Sequence, residues 1–135
     1  MTSELFVYGT LLSTDTGALG RAPRARLQRE AMLVGAAMIE GRLYHLGAYP
    51  ALAPPRRRLD QVHGEVWRLH DADAALPWLD AYEGIAVADG PGEYERVLRE
   101  VRVPARAETL QAWVYLSAQN LDAFPHLQDG RWRGA

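Results

Sequence analysis

Two parts of this sequence carry residues that could do chemistry, and the first is a carboxylate near the end of a predicted helix. Glu83 follows Leu79 by four residues and Leu76 by seven, so at about 100° per residue it projects between two leucines of the apolar face. It also lies in the last turn, where the helix dipole presents its negative end. Desolvation and the dipole both disfavour a charged carboxylate and predict a raised pKa. A carboxyl group of raised pKa suits a general acid or base that works near neutral pH.

The second part is the turn Tyr8-Gly9-Thr10-Leu11, which follows the apolar run Leu5-Phe6-Val7. A run of β-prone residues that ends at a glycine is typical of a strand entering a tight turn. Without a Cβ, Gly9 can bend sharply or allow a ligand to approach the backbone. The turn therefore offers backbone N–H groups together with the Thr10 hydroxyl and the Tyr8 phenol, and it predicts a small polar binding site.

Both patterns also have a purely structural interpretation. Glu83 could turn outward at the helix end and be solvated, and strand–glycine–threonine turns commonly close on their own side chains. Two further candidates are open in the same way. Tyr115 could bring its hydroxyl to the mouth of a barrel or pack in the core, and Arg96 could pair with a buried carboxylate or with that of a substrate.

Length and composition indicate one globular domain over residues 1–135. Hydrophobic residues make up 48% of the chain and charged residues 24%, which is ordinary for a soluble protein. The net charge of −2 gives no electrostatic case for binding a nucleic acid or an acidic membrane. No apolar run is long enough to span a bilayer, and no signal peptide is visible, so we expect a cytoplasmic protein.

Several classes of site are excluded by composition or by missing motifs. The sequence has no cysteine, which excludes disulfides, thiolate nucleophiles and cysteine metal sites. Its four histidines are dispersed and lack metal-ligand spacing: His45, His63, His70 and His126. No serine lies in a glycine elbow, and neither glycine-rich nucleotide-binding motif is present. These patterns therefore give no support to a metal site or to a nucleotide cofactor.

The elements that must position these residues are mostly strands. Alternating or apolar runs predict strands at residues 4–8, 31–38 (a buried strand), 42–46, 62–69, 94–103 and 108–116. The glycine inside the fourth of these, Gly64, indicates a bulge or close packing. Residues 13–29 could be loop or short helix. Three prolines predict that residues 49–55 have no regular structure.

A helix is predicted to begin at Asp71 or Asp73, either of which could be its N-cap, and to end near Glu83 with Gly84 after it. A loop is expected over residues 85–93. Many strands with one or two helices favour an α+β fold with a curved or barrel-like sheet.

Short motifs run through the chain in a fixed order. They are Phe6-Val7-Tyr8-Gly9-Thr10-Leu11, Gly41-Arg42-Leu43-Tyr44, Leu46-Gly47, Tyr49-Pro50-Ala51, Val62-His63-Gly64-Glu65-Val66, Leu79-Asp80-Ala81-Tyr82-Glu83-Gly84, Tyr94-Glu95-Arg96, Ala112-Trp113-Val114-Tyr115 and Gly130-Arg131-Trp132. Each motif is weak alone. Taken in this order over nearly the whole chain, they resemble the γ-glutamylcyclotransferase-like superfamily, in its avirulence-induced-gene-like and γ-glutamylamine cyclotransferase branch.

This resemblance implies a small mixed β-barrel, closed or nearly closed, with attached short helices. It implies that Tyr8, Gly9, Thr10 and Leu11 hold a γ-glutamyl group and that Glu83 is the catalytic acid/base. The implied substrate is a small γ-glutamyl molecule, whose own α-amine attacks the γ-carbonyl and releases 5-oxoproline and a free amine. Such a reaction requires no cofactor. The alternative is a non-catalytic small-ligand-binding or protein-interaction module on the same barrel.

One departure from the family pattern bears on the substrate. Residues 13–21 lack the asparagine-containing stretch that often follows the turn in the γ-glutamylamine enzymes. The identity of the leaving amine is therefore open at this stage, as is the oligomeric state.

Overall fold

Five strands close into a barrel and three shorter strands form a second sheet in the part of the chain that the structure describes. The structure is a computed structural model, and it describes residues 2–83 and 94–134. The elements in chain order are β1 (Glu4–Val7), α1 (Arg21–Glu30), β2 (Ala31–Glu40), β3 (Arg42–His45), β4 (Pro50–Ala53), β5 (Gln61–Leu69), α2 (Ala72–Glu83), β6 (Tyr94–Val103), a 3₁₀ turn (Pro104–Arg106), β7 (Glu108–Ser117) and β8 (His126–Leu127).

The barrel has the strand order β1-β5-β2-β6-β7 and closes where β1 lies beside β7. Leu5 pairs with Trp113 there in the parallel sense, whereas the other neighbouring strands of the barrel are antiparallel. The sheet is therefore mixed, and two helices accompany it. The predicted α+β fold, a small mixed β-barrel with attached short helices, is confirmed.

The barrel interior is built from β-branched and aromatic side chains, which favour strands because they pack well on a pleated surface. Phe6, Val66, Val101 and Val114 are essentially inaccessible to solvent. The glycine within β5 marks close packing, because a Cβ on Gly64 would lie 2.1 Å from the carbonyl oxygen of Val7. Close approach between β5 and the end of β1 thus requires glycine at this position.

Strand β2 confirms the strand predicted from residue 31, but its predicted burial is wrong. Met32 is 51% exposed and Leu33 is 44% exposed, whereas Ala37 and Ile39 further along β2 are buried. Only part of the strand is covered, so an apolar run of small residues does not here mean a strand buried on both faces.

The second sheet has the order β4-β3-β8, and it corrects the prediction for residues 49–55. Four of these residues form β4, which pairs with β3 and with no other strand of residues 2–83 and 94–134. Pro50 is the first residue of this edge strand, a position where the missing N–H of proline is tolerated. Pro54 and Pro55 follow its end. The prolines did not exclude a strand here because an edge strand tolerates proline at its first residue, whereas a central strand does not.

Helix α2 begins as the capping pattern predicts and runs to the residue that the sequence singled out. The Ala74 N–H donates to Asp71 Oδ1 at 3.3 Å, so Asp71 is the N-cap. Ala75, Leu76 and Leu79 are buried, and the helix ends at Glu83. The predicted closure at Gly84 and the predicted loop after it lie outside the described residues.

Helix α1 settles the alternative for residues 13–29 in favour of a loop followed by a short helix. It begins after Gly20, whose φ of +83° is a left-handed conformation that glycine adopts without strain. Within the described ranges, neither helix has the length and apolar character needed to cross a bilayer.

Candidate functional site

A cavity of about 140 Å³ lies where β1, α2 and β7 end and where β4 and β6 begin. Its lining includes the whole predicted turn, Tyr8, Gly9, Thr10 and Leu11, as well as Glu83 and Tyr115. Residues far apart in sequence are thus brought to one place by the closure of the barrel. Arg96 is not part of the lining.

The turn is closed by a hydrogen bond from the Leu12 N–H to the Gly9 carbonyl at 3.0 Å. Tyr8, just before it, is buried, and its hydroxyl donates to the carbonyl of Tyr115 on β7. Burial raises the pKa of Tyr8 well above its ordinary value, and the neighbouring Tyr94 and Glu83 raise it further. Tyr8 is therefore a neutral phenol that ties the end of β1 to β7.

Position 9 needs a glycine because a neighbouring side chain leaves no room for a Cβ. Its φ is not positive, but a Cβ would lie 2.6 Å from Cγ and 2.8 Å from Cδ of Pro50. The group that approaches this backbone is therefore a proline ring from the start of β4. The Pro50 carbonyl accepts a hydrogen bond from the Tyr94 hydroxyl at 2.8 Å, which ties β6 to the same corner.

Replacing Gly9 with alanine is expected to reduce the free energy of unfolding by about 1–3 kcal/mol, the usual range for overpacking. The physical reason is the clash with Pro50. Chemical denaturation of Gly9→Ala, Pro50→Ala and the double variant would measure it. Because Pro50→Ala removes Cγ and Cδ, the double variant should lose less stability than the two single losses added together. Strict additivity would contradict this explanation of the glycine.

Thr10 connects the turn to helix α2. Its Oγ1 lies 2.6 Å from the hydroxyl oxygen of Tyr82, the residue before Glu83. A Cβ on Gly20 would lie 2.8 Å from that same hydroxyl oxygen and 3.0 Å from the Thr10 backbone oxygen. The Thr10–Tyr82 hydrogen bond thus holds the predicted binding turn against the end of the helix that carries the predicted acid/base.

Glu83 is half-buried and lines the cavity. Its charge contributes to the raised pKa values of Tyr8, Tyr82 and Tyr115, although burial is the largest cause for all three phenols. The carboxylate is therefore within electrostatic range of several cavity tyrosines. The Glu83 carboxylate would therefore exchange a proton among these tyrosines and not in bulk water.

Asp80 is a site residue that the sequence reasoning missed. Its Oδ1 accepts hydrogen bonds from the Tyr115 hydroxyl at 2.7 Å and from Arg96 Nε at 2.8 Å, and its Oδ2 lies 3.2 Å from Arg96 Nη2. Arg96 in turn lies over the ring of Trp113, 4.4 Å from its centroid. Arg96 thus pairs with a protein carboxylate, one of the two alternatives left open by the sequence.

The Asp80 contact fixes the hydrogen-bonding role of the Tyr115 hydroxyl. Because the phenol donates its only proton to Asp80, its oxygen can serve any further partner only as an acceptor. Burial, the hydrogen bond and the negative charge of Asp80 raise the pKa of Tyr115, in that order. The signal that could have identified Asp80 is its spacing: it precedes Glu83 by three residues, so both lie on one face of α2.

Replacing Asp80 with asparagine is expected to lower the pKa of Tyr115 toward the ordinary value. The negative charge that opposes ionisation is removed, while the nearby guanidinium of Arg96 is kept. Ultraviolet titration of tyrosinate would detect the change, and the Tyr115→Phe variant would identify the transition that belongs to this residue. If the titration curves of Asp80→Asn and the wild type coincide, Asp80 does not control Tyr115.

Arg24 is a second residue that the sequence reasoning missed. It is only 7% exposed, and its guanidinium donates to the Thr10 carbonyl at 2.6 Å and to the Gly17 carbonyl at 2.8 Å. Asp15 Oδ1 lies 4.0 Å away. The only signal in the sequence is that Arg24 precedes the buried Leu27 by three residues, which places both on the inner face of α1.

The Arg24 contact also orients a peptide group of the turn. A trans peptide places its C=O and N–H on opposite sides, and the structure contains no cis peptide bond among the described residues. Since the Thr10 carbonyl points to Arg24, the Leu11 N–H points the other way. It takes no part in the hydrogen bond that closes the turn. It is therefore a candidate donor to a ligand.

The described residues contain no cluster of three or more histidine, aspartate or glutamate side chains that could hold a metal ion. The described wall of the cavity offers a carboxylate, phenols, a hydroxyl and backbone N–H groups.

Solved structures share this fold. An AIG2-like protein from Mus musculus is 22% identical, with a TM-score of 0.70 and coverage of 93% of this chain and 86% of that one. An uncharacterized protein from Pyrococcus horikoshii is 18% identical, with a TM-score of 0.64 and coverage of 96% and 89%. A protein from Arabidopsis thaliana is 24% identical, with a TM-score of 0.63 and coverage of 89% and 71%. At these identities the similarity establishes the fold.

The comparison of sequences is more specific. No curated protein matches the chain. The model of one protein family, described as gamma-glutamyl cyclotransferase, AIG2-like, matches residues 5–134. This match spans β1 to the last described residue and includes the turn, Asp80, Glu83 and Tyr115. The chain therefore belongs to the AIG2-like gamma-glutamyl cyclotransferase family.

Proposed function

We propose that this protein is an enzyme that cyclises a γ-glutamyl amide or amine to 5-oxoproline and releases the free amine, with Glu83 as general acid and base. The observation that carries the proposal is that Glu83 and the turn from Tyr8 to Leu11 line one small cavity. Membership of the cyclotransferase family supports the reaction class. The turn would hold the glutamyl group, and Glu83 would move the proton.

The choice of Glu83 as acid/base rests on the chemistry of the cavity wall. Among the described lining residues, Glu83 is the only ionisable side chain that is not a phenol. The pKa values of Tyr8, Tyr82 and Tyr115 are all raised above the ordinary value of 10.0. These three phenols stay protonated at neutral pH and do not act as bases there. We assign the proton transfer to Glu83 because a carboxylate is the better proton acceptor near neutral pH.

The proposed reaction begins with the substrate's α-ammonium, which gives a proton to the Glu83 carboxylate. The free α-amine then attacks the γ-carbonyl carbon, forming the ring C–N bond and a tetrahedral oxyanion. When this intermediate collapses, the oxyanion re-forms the carbonyl, the bond to the leaving nitrogen breaks, and that nitrogen takes up the proton held by Glu83. The ring nitrogen, which still carries two protons, gives one of them to the regenerated carboxylate, which passes it to the released amine or to solvent. One carboxyl group can serve both transfers in turn.

The remaining groups would bind and orient the substrate. Because the attacking amine belongs to the substrate, holding the glutamyl chain in a folded conformer supplies the advantage of proximity. The Leu11 N–H, whose direction is fixed by the contact between Arg24 and the Thr10 carbonyl, would stabilise the oxyanion or bind the substrate carboxylate. Tyr115 would accept a hydrogen bond from the α-ammonium, since its own proton is committed to Asp80.

A panel of γ-glutamyl amides with varied amines tests the proposal. The purified protein should convert at least one of them to 5-oxoproline, detected by mass spectrometry, with the free amine released alongside. Saturable binding of γ-glutamyl compounds with no turnover of any of them would favour the non-catalytic binding module instead. Neither binding nor turnover would contradict both functions.

A further inference from the structure

A second cavity adjoins the proposed catalytic one. It has a volume of about 500 Å³ and lies between residues 10–19 and the C-terminal segment around Trp132. Thr10 and Leu19 belong to the walls of both cavities. We call this space the side cavity.

The leaving part of a γ-glutamyl substrate needs a place outside the first cavity. That cavity measures about 140 Å³, below the usual range of roughly 300–1,000 Å³ for sites that enclose a whole ligand. A glutamyl group held by the turn and Glu83 would therefore leave its amide substituent projecting outward. Past Thr10 and Leu19, the substituent would enter the side cavity.

The charges of the side cavity are already paired within the protein. Asp15 accepts hydrogen bonds from the Gly17 N–H at 2.8 Å and from Trp132 Nε1–H at 3.1 Å, and it lies 4.0 Å from the Arg24 guanidinium. Arg133 forms an ion pair with Asp129. An ammonium or carboxylate on the leaving group would have to compete with these partners and would lose hydration without gaining a charged partner of its own.

Part of the wall of the side cavity is apolar. Leu19, which the two cavities share, is 45% exposed, and Leu12, Ala18 and Ala48 line the same space. We propose that the side cavity binds the leaving amine of the substrate and that Leu19 selects amines with an uncharged, apolar chain. This inference rests on the proposed function and deepens it by specifying the class of substrate.

Two matched substrates test the selection. One is γ-glutamyl-pentylamide, and the other carries an ammonium group in place of its terminal methyl. The wild-type protein should turn over the pentylamide with a kcat/KM about tenfold or more above that of the ammonium analogue, since one group in an apolar pocket is commonly worth at least that factor. Equal values, or a preference for the ammonium analogue, would overturn the inference.

The variant Leu19→Glu links this preference to one residue. It should lower kcat/KM for the pentylamide by about tenfold and raise it for the ammonium analogue, because a carboxylate now faces the amine chain. Leu59→Glu is the matched control: Leu59 is an exposed leucine, at 88%, that lines neither cavity. Circular dichroism would verify that both variants fold.

The outcomes separate this inference from the proposed function. If 5-oxoproline forms but Leu19→Glu behaves like Leu59→Glu, only the role of the side cavity is overturned. If no substrate of either kind yields 5-oxoproline, the proposed function itself fails, and the inference fails with it.

Discussion

Replacing Glu83 with glutamine is expected to lower kcat for 5-oxoproline formation by about 10²- to 10⁴-fold, the range usual for loss of a general acid or base. Glutamine has the size of glutamate but cannot accept the proton of the α-ammonium or return it to the leaving amine. Affinity for 5-oxoproline should change far less, because the turn that would bind the glutamyl group is untouched. Steady-state kinetics and calorimetric titration would measure the two effects.

The matched control for this variant is Glu40→Gln. Glu40 is an exposed glutamate at the end of β2, so the same chemical change is made away from the cavity. Its kcat should equal that of the wild type. If Glu83→Gln has the same kcat as Glu40→Gln, Glu83 is not the general acid and base.

Replacing Arg24 with methionine is expected to reduce the free energy of unfolding by about 3–5 kcal/mol, as for other buried ion pairs that lose one member. Methionine preserves much of the packing of the aliphatic stem but leaves the Thr10 and Gly17 carbonyls without their donor. It also leaves Asp15 without its nearby cation. Denaturant unfolding monitored by fluorescence would give the change in midpoint and in slope.

Arg26→Met is the control on the same helix. Arg26 is half-exposed. It forms an i,i+4 surface pair with Glu30 and lies 4.6 Å from the centroid of the Trp78 ring, and each of these contacts is worth at most about 1 kcal/mol at an exposed site. The stability loss of Arg24→Lys should lie between those of Arg24→Met and Arg26→Met. Lysine keeps the charge, but it lacks the planar guanidinium that donates to two carbonyls at once. If Arg24→Met loses no more stability than Arg26→Met, Arg24 does not hold the turn.

The parts of the fold that the sequence predicted correctly are those determined by neighbours along the chain. Strand β6 follows from its alternating residues, and the start of α2 follows from the cap at Asp71. The position of Glu83 on that helix was predictable from its spacing to Leu76 and Leu79. That Glu83 and the Tyr8–Leu11 turn lie at one cavity was implied only by the family resemblance, because it depends on the closure of a barrel between distant strands.

The residues that the sequence did not identify act through contacts across the fold. Arg24 is one of several arginines in α1. It differs from the others in its hydrogen bond to the Thr10 carbonyl, which the sequence does not reveal. Asp80 likewise becomes significant only when β7 brings Tyr115 to it. Gly9 was predicted to allow a sharp bend or the close approach of a ligand, whereas the group that approaches it in the structure is Pro50, from an edge strand that the sequence did not predict.

The central claim is that one cavity holds a γ-glutamyl group and makes its own amine displace the leaving amine. Nuclear magnetic resonance of a γ-glutamyl amide incubated with the wild-type protein tests this most directly, because it identifies every product at once. We predict that 5-oxoproline and free amine appear in equal amounts, with no free glutamate. Free glutamate as the product would mean that water, rather than the substrate's α-amine, attacks the carbonyl. The protein would then be a hydrolase and not a cyclotransferase.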